Sequence, residues 1–261
     1  MAGAIRTEIR EAAETGRVAF VTIAHEAKLN TLNPELMREF IATMARVGAD
    51  DGLHAVVLTG AGSKAFVGGA DIGVMAGIED SAAAEAFITL VHGCCRAVRD
   101  CPAPVIGRIN GWTLGAGLEL AAACDLRLAA DTAQFGMPEV RVGIPSVVEA
   151  ALLPGLIGWG RTRRLLLLGE TIGAAEAVEW GFVEKVVAPE ALDAAVADWL
   201  AHLGAAGRQA LRIQKALIRR WEDLPTGQAV AAGIPAFASA WGSDEPRRMM
   251  RAFVERPRHR R

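Results

Sequence analysis

Short apolar runs alternate with helix-like segments along the first two thirds of the chain. Segment 34–47 repeats its apolar residues at a 3.6-residue period, with Asn33 as the predicted N-cap and Pro34 at the first helical position. Five other runs are typical of strands: IRTEIRE, RVAFVTIA, HAVVLTG, PVIGRING and DLRLAA. This order predicts βα units with largely parallel strands and right-handed crossovers.

The last third of the chain has a different pattern. After the strand-like run FVEKVV at 182–187, the sequence is helical throughout. The predicted breaks between these helices lie near Gly207, Pro225 and Gly242. The sequence therefore predicts an α/β core over residues 1–195 and a helical C-terminal region over residues 196–261.

Composition and charge exclude several classes of protein. The 261 residues carry a formal net charge of −2, which gives no reason to expect nucleic acid or an anionic membrane as a partner. The basic end RRMMRAFVERPRHRR is interpreted as a solvated helix and tail. No run reaches the roughly 18 apolar residues of a membrane span, and the first residues lack the apolar core of a secretory signal. We therefore expect a cytoplasmic protein.

The cysteines give no sign of a disulfide framework or a metal site. They lack the spacing of zinc ligands, and a chain of this length has no need of disulfides. We expect reduced thiols at Cys94, Cys95, Cys101 and Cys124.

Two glycine-rich loops, TGAGSKAFVGGADIG and INGWTLGAGLEL, each follow a strand-like run. In each, a small residue follows glycine where a helix could begin: Ala70 and Ala116. Free N–H groups at such positions attract negative charge. Two of them aimed at one point would form an oxyanion hole, worth about 3–4 kcal/mol per donor. A single loop would be interpreted as a tight turn, and neither loop fits the dinucleotide-binding pattern.

Two glutamates stand close to these loops in the sequence. Glu119 lies three residues after Ala116, one turn along the same helix face. Glu139 follows Pro138 in a predicted turn after the short strand AQF. Addition of water to a conjugated thioester needs one group to take a proton from water and another to give a proton to the α-carbon. Spacing alone leaves open a capping role for Glu119 and an exposed turn position for Glu139.

The segments AFVGGADI and INGWTLGAGLELAAACDLRLAADTAQFGMPEV resemble the enoyl-CoA hydratase/isomerase (crotonase) superfamily. The resemblance extends over nearly the whole chain and is closest to the hydratase branch. It implies a crotonase-like α/β core of repeated ββα and βαβ units. It also implies that Ala70 and Ala116 donate the oxyanion-hole amides and that Glu119 and Glu139 are the two catalytic glutamates.

The resemblance further implies a set of substrate contacts. Residues expected to bind the CoA thioester are Ala27, Lys28, Leu29, Gly69, Asp71, Ile72, Gly73, Gly115 and Pro138. Coenzyme A is then part of the substrate, and neither a separate cofactor nor a metal is expected. The family's assembly implies a homotrimer or a homohexamer.

The chain departs from the family pattern after the second glutamate. Hydratases commonly continue into IPGAGGTQRL, whereas this chain has GIPSVVEAALLP. Ser146, Val147 and Glu149 therefore predict a reshaped acyl pocket. For Glu149 we favour a helix-start acid stabilised by the helix dipole over a catalytic group.

Other functions remain open on the same scaffold. An isomerase, a decarboxylase or a thioester hydrolase would use the same oxyanion hole, although double-bond migration needs a single acid–base group. A non-catalytic CoA-thioester binder would need neither glutamate.

Overall fold

A computed structural model describes residues 3–255 and arranges the strands of this part of the chain in two sheets. The strands are β1 (Ala4–Ala12), β2 (Gly16–Ala24), β3 (Leu53–Gly60), β4 (Ala65–Val67), β5 (Val105–Ile109), β6 (Trp112–Leu114), β7 (Leu126–Ala130), β8 (Gln134–Gly136), β9 (Thr171–Gly173) and β10 (Lys185–Val187).

Helices connect and cover these strands. They are α1 (Pro34–Gly48), α2 (Ile72–Met75), α3 (Ser81–Asp100), α4 (Ala116–Ala123), α5 (Leu153–Leu168), α6 (Ala174–Trp180), α7 (Leu192–Ala205), α8 (Arg208–Asp223), α9 (Thr226–Ala240) and α10 (Glu245–Val254). Short 3₁₀ helices cover Glu26–Lys28, Glu139–Val142, Val148–Leu152 and Pro189–Ala191.

The larger sheet has the strand order β1-β2-β3-β5-β7-β10, and the smaller one has the order β4-β6-β8-β9. All neighbours are parallel except at two edges, where β1 and β9 pair antiparallel. The predicted α/β fold class and the largely parallel pairing are confirmed. Because the carboxyl ends of parallel neighbours share one edge of a sheet, the loops after β4 and β6 are brought together.

Both faces of the larger sheet are buried, as a parallel sheet requires. Val56 and Leu58 of β3 belong to the main apolar core, which includes Phe40 of α1. Val57, which points to the opposite face, belongs to a second cluster with Val196 of α7. The continuous apolar run of β3 is explained by this two-sided burial.

The predicted start of α1 and the predicted breaks between the C-terminal helices agree with the structure, whereas one strand is shorter than predicted. Asn33 caps α1 by accepting a 2.8 Å hydrogen bond from the Leu36 N–H, and the three predicted breaks fall between α7, α8, α9 and α10. The run FVEKVV forms a strand only in its second half. Its first residues, Phe182 and Val183, instead donate their N–H groups to the Ala177 carbonyl and complete the end of α6.

The predicted division after residue 195 falls inside α7, and the two-part organisation stays a prediction. The predicted C-terminal tail includes residues 256–261, which lie outside the described residues, as do residues 1 and 2. Within residues 3–255, no helix combines the length and the apolar character needed to cross a bilayer.

Candidate active site

The two glycine-rich loops meet because β4 and β6 are parallel neighbours, with Ala65 opposite Trp112 and Val67 opposite Thr113. The first turn of α4 packs directly on the end of β4. A Cβ atom at Gly117 would lie only 2.0 Å from the carbonyl oxygen of Val67. Glycine at this position therefore allows the start of α4 to sit beside the first loop.

Ala70 lies in the first loop, where it pairs with Leu32 in an isolated parallel bridge. The Leu32 N–H donates to the Gly69 carbonyl, and the Asp71 N–H donates to the Leu32 carbonyl, both at 2.9 Å. The Ala70 N–H has no acceptor among residues 3–255. Helix α2 begins at Ile72, two residues later than predicted, because the bridge holds Ala70 in extended structure.

Ala116 is the first residue of α4, as predicted. Gly115 precedes it with a φ of 51°, a backbone conformation that favours glycine. The Gly115 carbonyl accepts hydrogen bonds from the Leu118 and Glu119 N–H groups. In the described part of the chain the Ala116 N–H, like that of Ala70, has no acceptor. Such an unpaired amide at a helix start attracts an anionic oxygen.

Glu139 reaches the second loop from a neighbouring turn. It opens the 3₁₀ helix after Pro138, just beyond β8, so the predicted turn position is confirmed. A Cβ at Gly115 would lie 2.4 Å from Glu139 Oε1, so the missing side chain lets the carboxylate approach the backbone. Glu139 Oε2 accepts a 2.8 Å hydrogen bond from Ser146 Oγ.

Glu119 is buried, with 3% of its surface exposed. A solvent-facing role for this carboxyl group is therefore excluded. Its Oε1 accepts a 3.2 Å hydrogen bond from the Ala150 N–H. Burial, together with the nearby charges of Glu139 and Glu149, raises the pKa of Glu119 to about 8, and the Ala150 hydrogen bond opposes this shift. A carboxyl group with this pKa exchanges protons readily near neutral pH.

The segment 146–150 connects the two glutamates, since Ser146 contacts Glu139 and Ala150 contacts Glu119. Glu149 lies in the first turn of a 3₁₀ helix, as expected for a helix-start acid, but its side chain is buried. Its Oε1 lies 2.9 Å from Nδ1 of His92 on α3. The helix dipole alone therefore does not explain the position of Glu149, which is buried and contacts His92.

The predicted substrate-side residues differ in exposure, and Gly69, Asp71 and Gly115 are buried. Those exposed on the surface are Ala27, Lys28, Leu29, Ile72 and Gly73. The Leu29 carbonyl accepts a 2.8 Å hydrogen bond from the Gly68 N–H, which ties this segment to the first loop. Lys28 Nζ lies 2.7 Å from Asp71 Oδ2, and this contact lowers the pKa of the Asp71 carboxyl. The structure thus adds an ion pair between two residues predicted separately.

Asn30 and His92 contribute to the site but were not predicted from the sequence. Asn30 is fully buried: its Oδ1 accepts from the His25 N–H at 2.9 Å, and its Nδ2 donates to the carbonyls of Ala61 and Ala65. The local signal for His92 is a single histidine within the apolar stretch LVHGCC. For Asn30 we find no such signal. Two of its three hydrogen bonds are to residues more than 30 positions away in the sequence.

Two surface cavities are lined by residues other than the predicted site residues, although the first includes the start of the first glycine-rich loop, residues 59–62. One of about 610 Å³ is bordered by the β1–β2 hairpin and the loop after β3. Another of about 280 Å³ lies between α8 and the end of α4. Neither lining includes Ala70, Ala116, Glu119 or Glu139. The candidate site is therefore the cluster of loops and carboxylates rather than either cavity.

Comparison with known proteins places this arrangement in context. Residues 13–260 match the family model described as Enoyl-CoA hydratase/isomerase. A crotonyl-CoA hydratase of Syntrophomonas wolfei is 34% identical over 241 residues, which cover 92% of each chain. A short-chain-enoyl-CoA hydratase of Clostridium acetobutylicum is also 34% identical, over 242 residues and 92% of each chain.

Solved structures share the fold. The crystal structure of an enoyl-CoA hydratase from Bacillus anthracis superposes with a TM-score of 0.89 at 30% identity, covering 95% of this chain and 96% of that one. The match extends from the first sheet into the C-terminal helices. The resemblance seen in the two glycine-rich loops is thereby confirmed, and the chain belongs to the enoyl-CoA hydratase/isomerase family of enzymes.

Proposed function

We propose that this chain is an enoyl-CoA hydratase, which adds water across the 2,3 double bond of a 2-enoyl-CoA thioester to give a 3-hydroxyacyl-CoA. The observation that carries the proposal is the convergence of Glu119 and Glu139 on a pair of loops that present free amides. The names of the two relatives, crotonyl-CoA and short-chain-enoyl-CoA hydratase, support a short acyl group.

In this proposal the thioester oxygen accepts hydrogen bonds from the N–H groups of Ala70 and Ala116. Attack on the β-carbon moves negative charge onto that oxygen and forms an enolate. Donors already in position stabilise this charge without reorganising, by about 3–4 kcal/mol each in comparable sites. The support is that both amides lie free on adjacent loops.

The two glutamates divide the proton transfers. Glu119 takes a proton from water as the water oxygen bonds to the β-carbon, and its pKa of about 8 makes the ionised carboxylate a stronger base than an exposed one. Glu139 gives a proton to the α-carbon, and the enolate collapses to the thioester. The cycle leaves Glu119 protonated and Glu139 ionised. Before the next turnover Glu119 must lose a proton and Glu139 must gain one.

The CoA portion of the substrate would lie along Ala27, Lys28 and Leu29, which are exposed and joined to the first loop. Asp71, paired with Lys28, would border the thioester. Conjugation with the thioester carbonyl makes the β-carbon electrophilic and lets the carbonyl oxygen take up the enolate charge, so this mechanism requires neither a metal nor a redox cofactor.

We also propose that the enzyme is a homotrimer or a homohexamer. Helix α9 exposes Val230, Ile234 and Phe237, each at least 70% accessible. These residues are spaced by four and then three positions and so form one apolar stripe. An exposed apolar stripe of this kind is typical of a surface that another protein covers, and a second copy of the chain is the proposed occupant.

An isomerase that moves the double bond is the second candidate. Such a reaction removes and returns one proton and needs one acid–base group, whereas this site contains two carboxyl groups against the loops. The pair therefore favours hydration. A non-catalytic thioester binder is disfavoured for the same reason, because burial of Glu119 is costly without a use for its charge.

The test follows the loss of enoyl-thioester absorbance with crotonyl-CoA. We expect turnover by the wild-type enzyme and a decrease in kcat of about 100-fold or more for Glu119→Gln and for Glu139→Gln, since each removes one proton-transfer group. Glu85→Gln, an exposed glutamate on α3, is the matched control and should keep wild-type activity.

Two results would contradict the proposal. Binding of crotonyl-CoA without turnover would exclude a hydratase for this acyl group. Conversion of 3-butenoyl-CoA to crotonyl-CoA, with Glu119→Gln as active as the wild type, would favour the isomerase.

A further inference from the structure

Glu149 is a third carboxyl group beside the proposed catalytic pair. Its side chain is 8% exposed. Its Oε1 is occupied by His92 Nδ1, whereas its Oε2 is buried and has no hydrogen-bond partner among residues 3–255. A buried acceptor left unpaired costs about 1–3 kcal/mol and more when charged. An oxygen of this kind is suited to bind a hydrogen-bond donor that arrives with a ligand.

The chain around Glu149 brings this residue beside the two proposed catalytic carboxyl groups. The preceding residues lead from Ser146, which contacts Glu139, and the following residue, Ala150, donates its N–H to Glu119. Glu149 therefore lies on the segment that joins the two proposed catalytic carboxyl groups. A substrate whose β-carbon lies beside Glu119 would extend its next atoms toward Glu149.

Electrostatic coupling supports the same placement. The charge of Glu149 contributes to the raised pKa of Glu119. Burial first, and then the charges of Glu149 and Glu119, raise the pKa of Cys95 on α3. The Glu149 carboxyl group thus lies near both Glu119 on α4 and Cys95 on α3.

The backbone before Glu149 is strained. Val148 has a φ of 41°, in the left-handed region that β-branched residues rarely adopt. Such a conformation costs on the order of 1–3 kcal/mol. His92, half-exposed on α3, holds Oε1 and so fixes which oxygen stays free. The Val148 backbone and the contact with His92 together hold the Glu149 carboxyl group so that Oε2 remains an unused acceptor.

We propose that Glu149, positioned by His92, forms a polar subsite that selects short 2-enoyl-CoA substrates carrying a hydrogen-bond donor, such as a hydroxyl group, on the carbon beyond the double bond. This inference rests on the proposed function and names its substrate class. The donor binds Glu149 Oε2 while the thioester lies at Ala70 and Ala116. Acyl groups that end in a carboxylate are rejected, because Glu119, Glu139 and Glu149 already concentrate acidic groups there.

The kinetic test compares 4-hydroxycrotonyl-CoA with crotonyl-CoA. A hydrogen bond to a charged group corresponds to about a 10- to 100-fold change. We expect kcat/KM of the wild type to be higher for 4-hydroxycrotonyl-CoA by about this factor. Glu149→Leu should reduce the ratio to about 1, and Glu149→Gln, which keeps one acceptor oxygen, should give an intermediate ratio. Glu85→Gln is the matched control and should keep the wild-type ratio.

A binding measurement separates this inference from the proposed function. We expect calorimetric titration to give a Kd for 4-hydroxybutanoyl-CoA about 10-fold or more below that for butanoyl-CoA, with the difference lost in Glu149→Leu. If neither enoyl substrate is hydrated but this difference is found, the proposed function fails and the subsite stands. The subsite would be overturned if the wild type had equal kcat/KM for the two enoyl substrates and equal Kd for the two saturated thioesters. An equal loss of activity toward both substrates in Glu149→Gln and Glu149→Leu would also overturn it, by assigning Glu149 a structural role.

Discussion

Among single residues, Glu119 combines two opposed properties. It lies in α4, where every residue from Ala116 to Ala123 is buried, yet the proposed reaction requires its carboxyl group to change charge. Burial and neighbouring acids raise its pKa to about 8. With a raised pKa, the carboxyl group keeps its proton through neutral pH and loses it in mildly alkaline solution.

We therefore predict that kcat/KM for crotonyl-CoA hydration rises with pH up to an inflection near pH 8. The reason is that Glu119 accepts a proton from water only when it is ionised. Initial rates measured from about pH 6 to about pH 9.5 give the profile.

Glu149→Gln provides the comparison for this profile. Removing the Glu149 charge removes one cause of the raised pKa of Glu119, so the inflection should move to lower pH. The control Glu85→Gln should leave it in place. A wild-type rate that is constant across this range would show that Glu119 does not act as the base.

At the scale of elements, one buried amide side chain holds together the segments that frame the site. Asn30 connects the segment after β2, through His25, with the loop after β3 and the start of β4, through Ala61 and Ala65. The carbonyl of the residue before it, Leu29, accepts a hydrogen bond from the Gly68 N–H in the second half of the first glycine-rich loop. The position of that loop therefore depends on Asn30.

We predict that Asn30→Ala lowers the free energy of unfolding by about 3 kcal/mol or more, because three backbone groups lose a partner at about 1–3 kcal/mol each. Urea unfolding measures the change. Asn33→Ala is the matched control, since it removes only the N-cap of α1 and should cost about 1 kcal/mol. Equal losses in the two variants would show that the Asn30 hydrogen bonds are replaced by water.

The elements also show what sequence patterns can and cannot give. The strands of the larger sheet, the cap at Asn33 and the helix opening at Ala116 follow from neighbouring residues, so they were predictable. Strands β4, β6 and β9 of the smaller sheet, each three residues long, were not predicted. The contact between His92 and Glu149 joins residues 57 positions apart, and a hydrophobic pattern within a helix or strand cannot predict such a contact. The start of α2 was placed too early because the bridge between Leu32 and Ala70 depends on a distant segment.

For the whole molecule, the C-terminal helices leave the largest set of apolar side chains uncovered. Besides the stripe on α9, helix α10 exposes Phe253 and Val254. Complete burial of a large apolar side chain contributes about 1.5–3 kcal/mol. The exposed stripe can therefore supply much of the free energy that a subunit interface requires.

We predict that the wild-type enzyme has a mass of at least three times the 27.5 kDa monomer and that Phe237→Asp dissociates it. An aspartate within the stripe would have to be buried without a partner, and this cost opposes association. Sedimentation velocity gives the mass. Gln228→Glu places a negative charge on the same helix away from the stripe and should remain assembled. A wild-type mass of one chain would contradict the proposed oligomer, and assembly of Phe237→Asp would place the interface elsewhere.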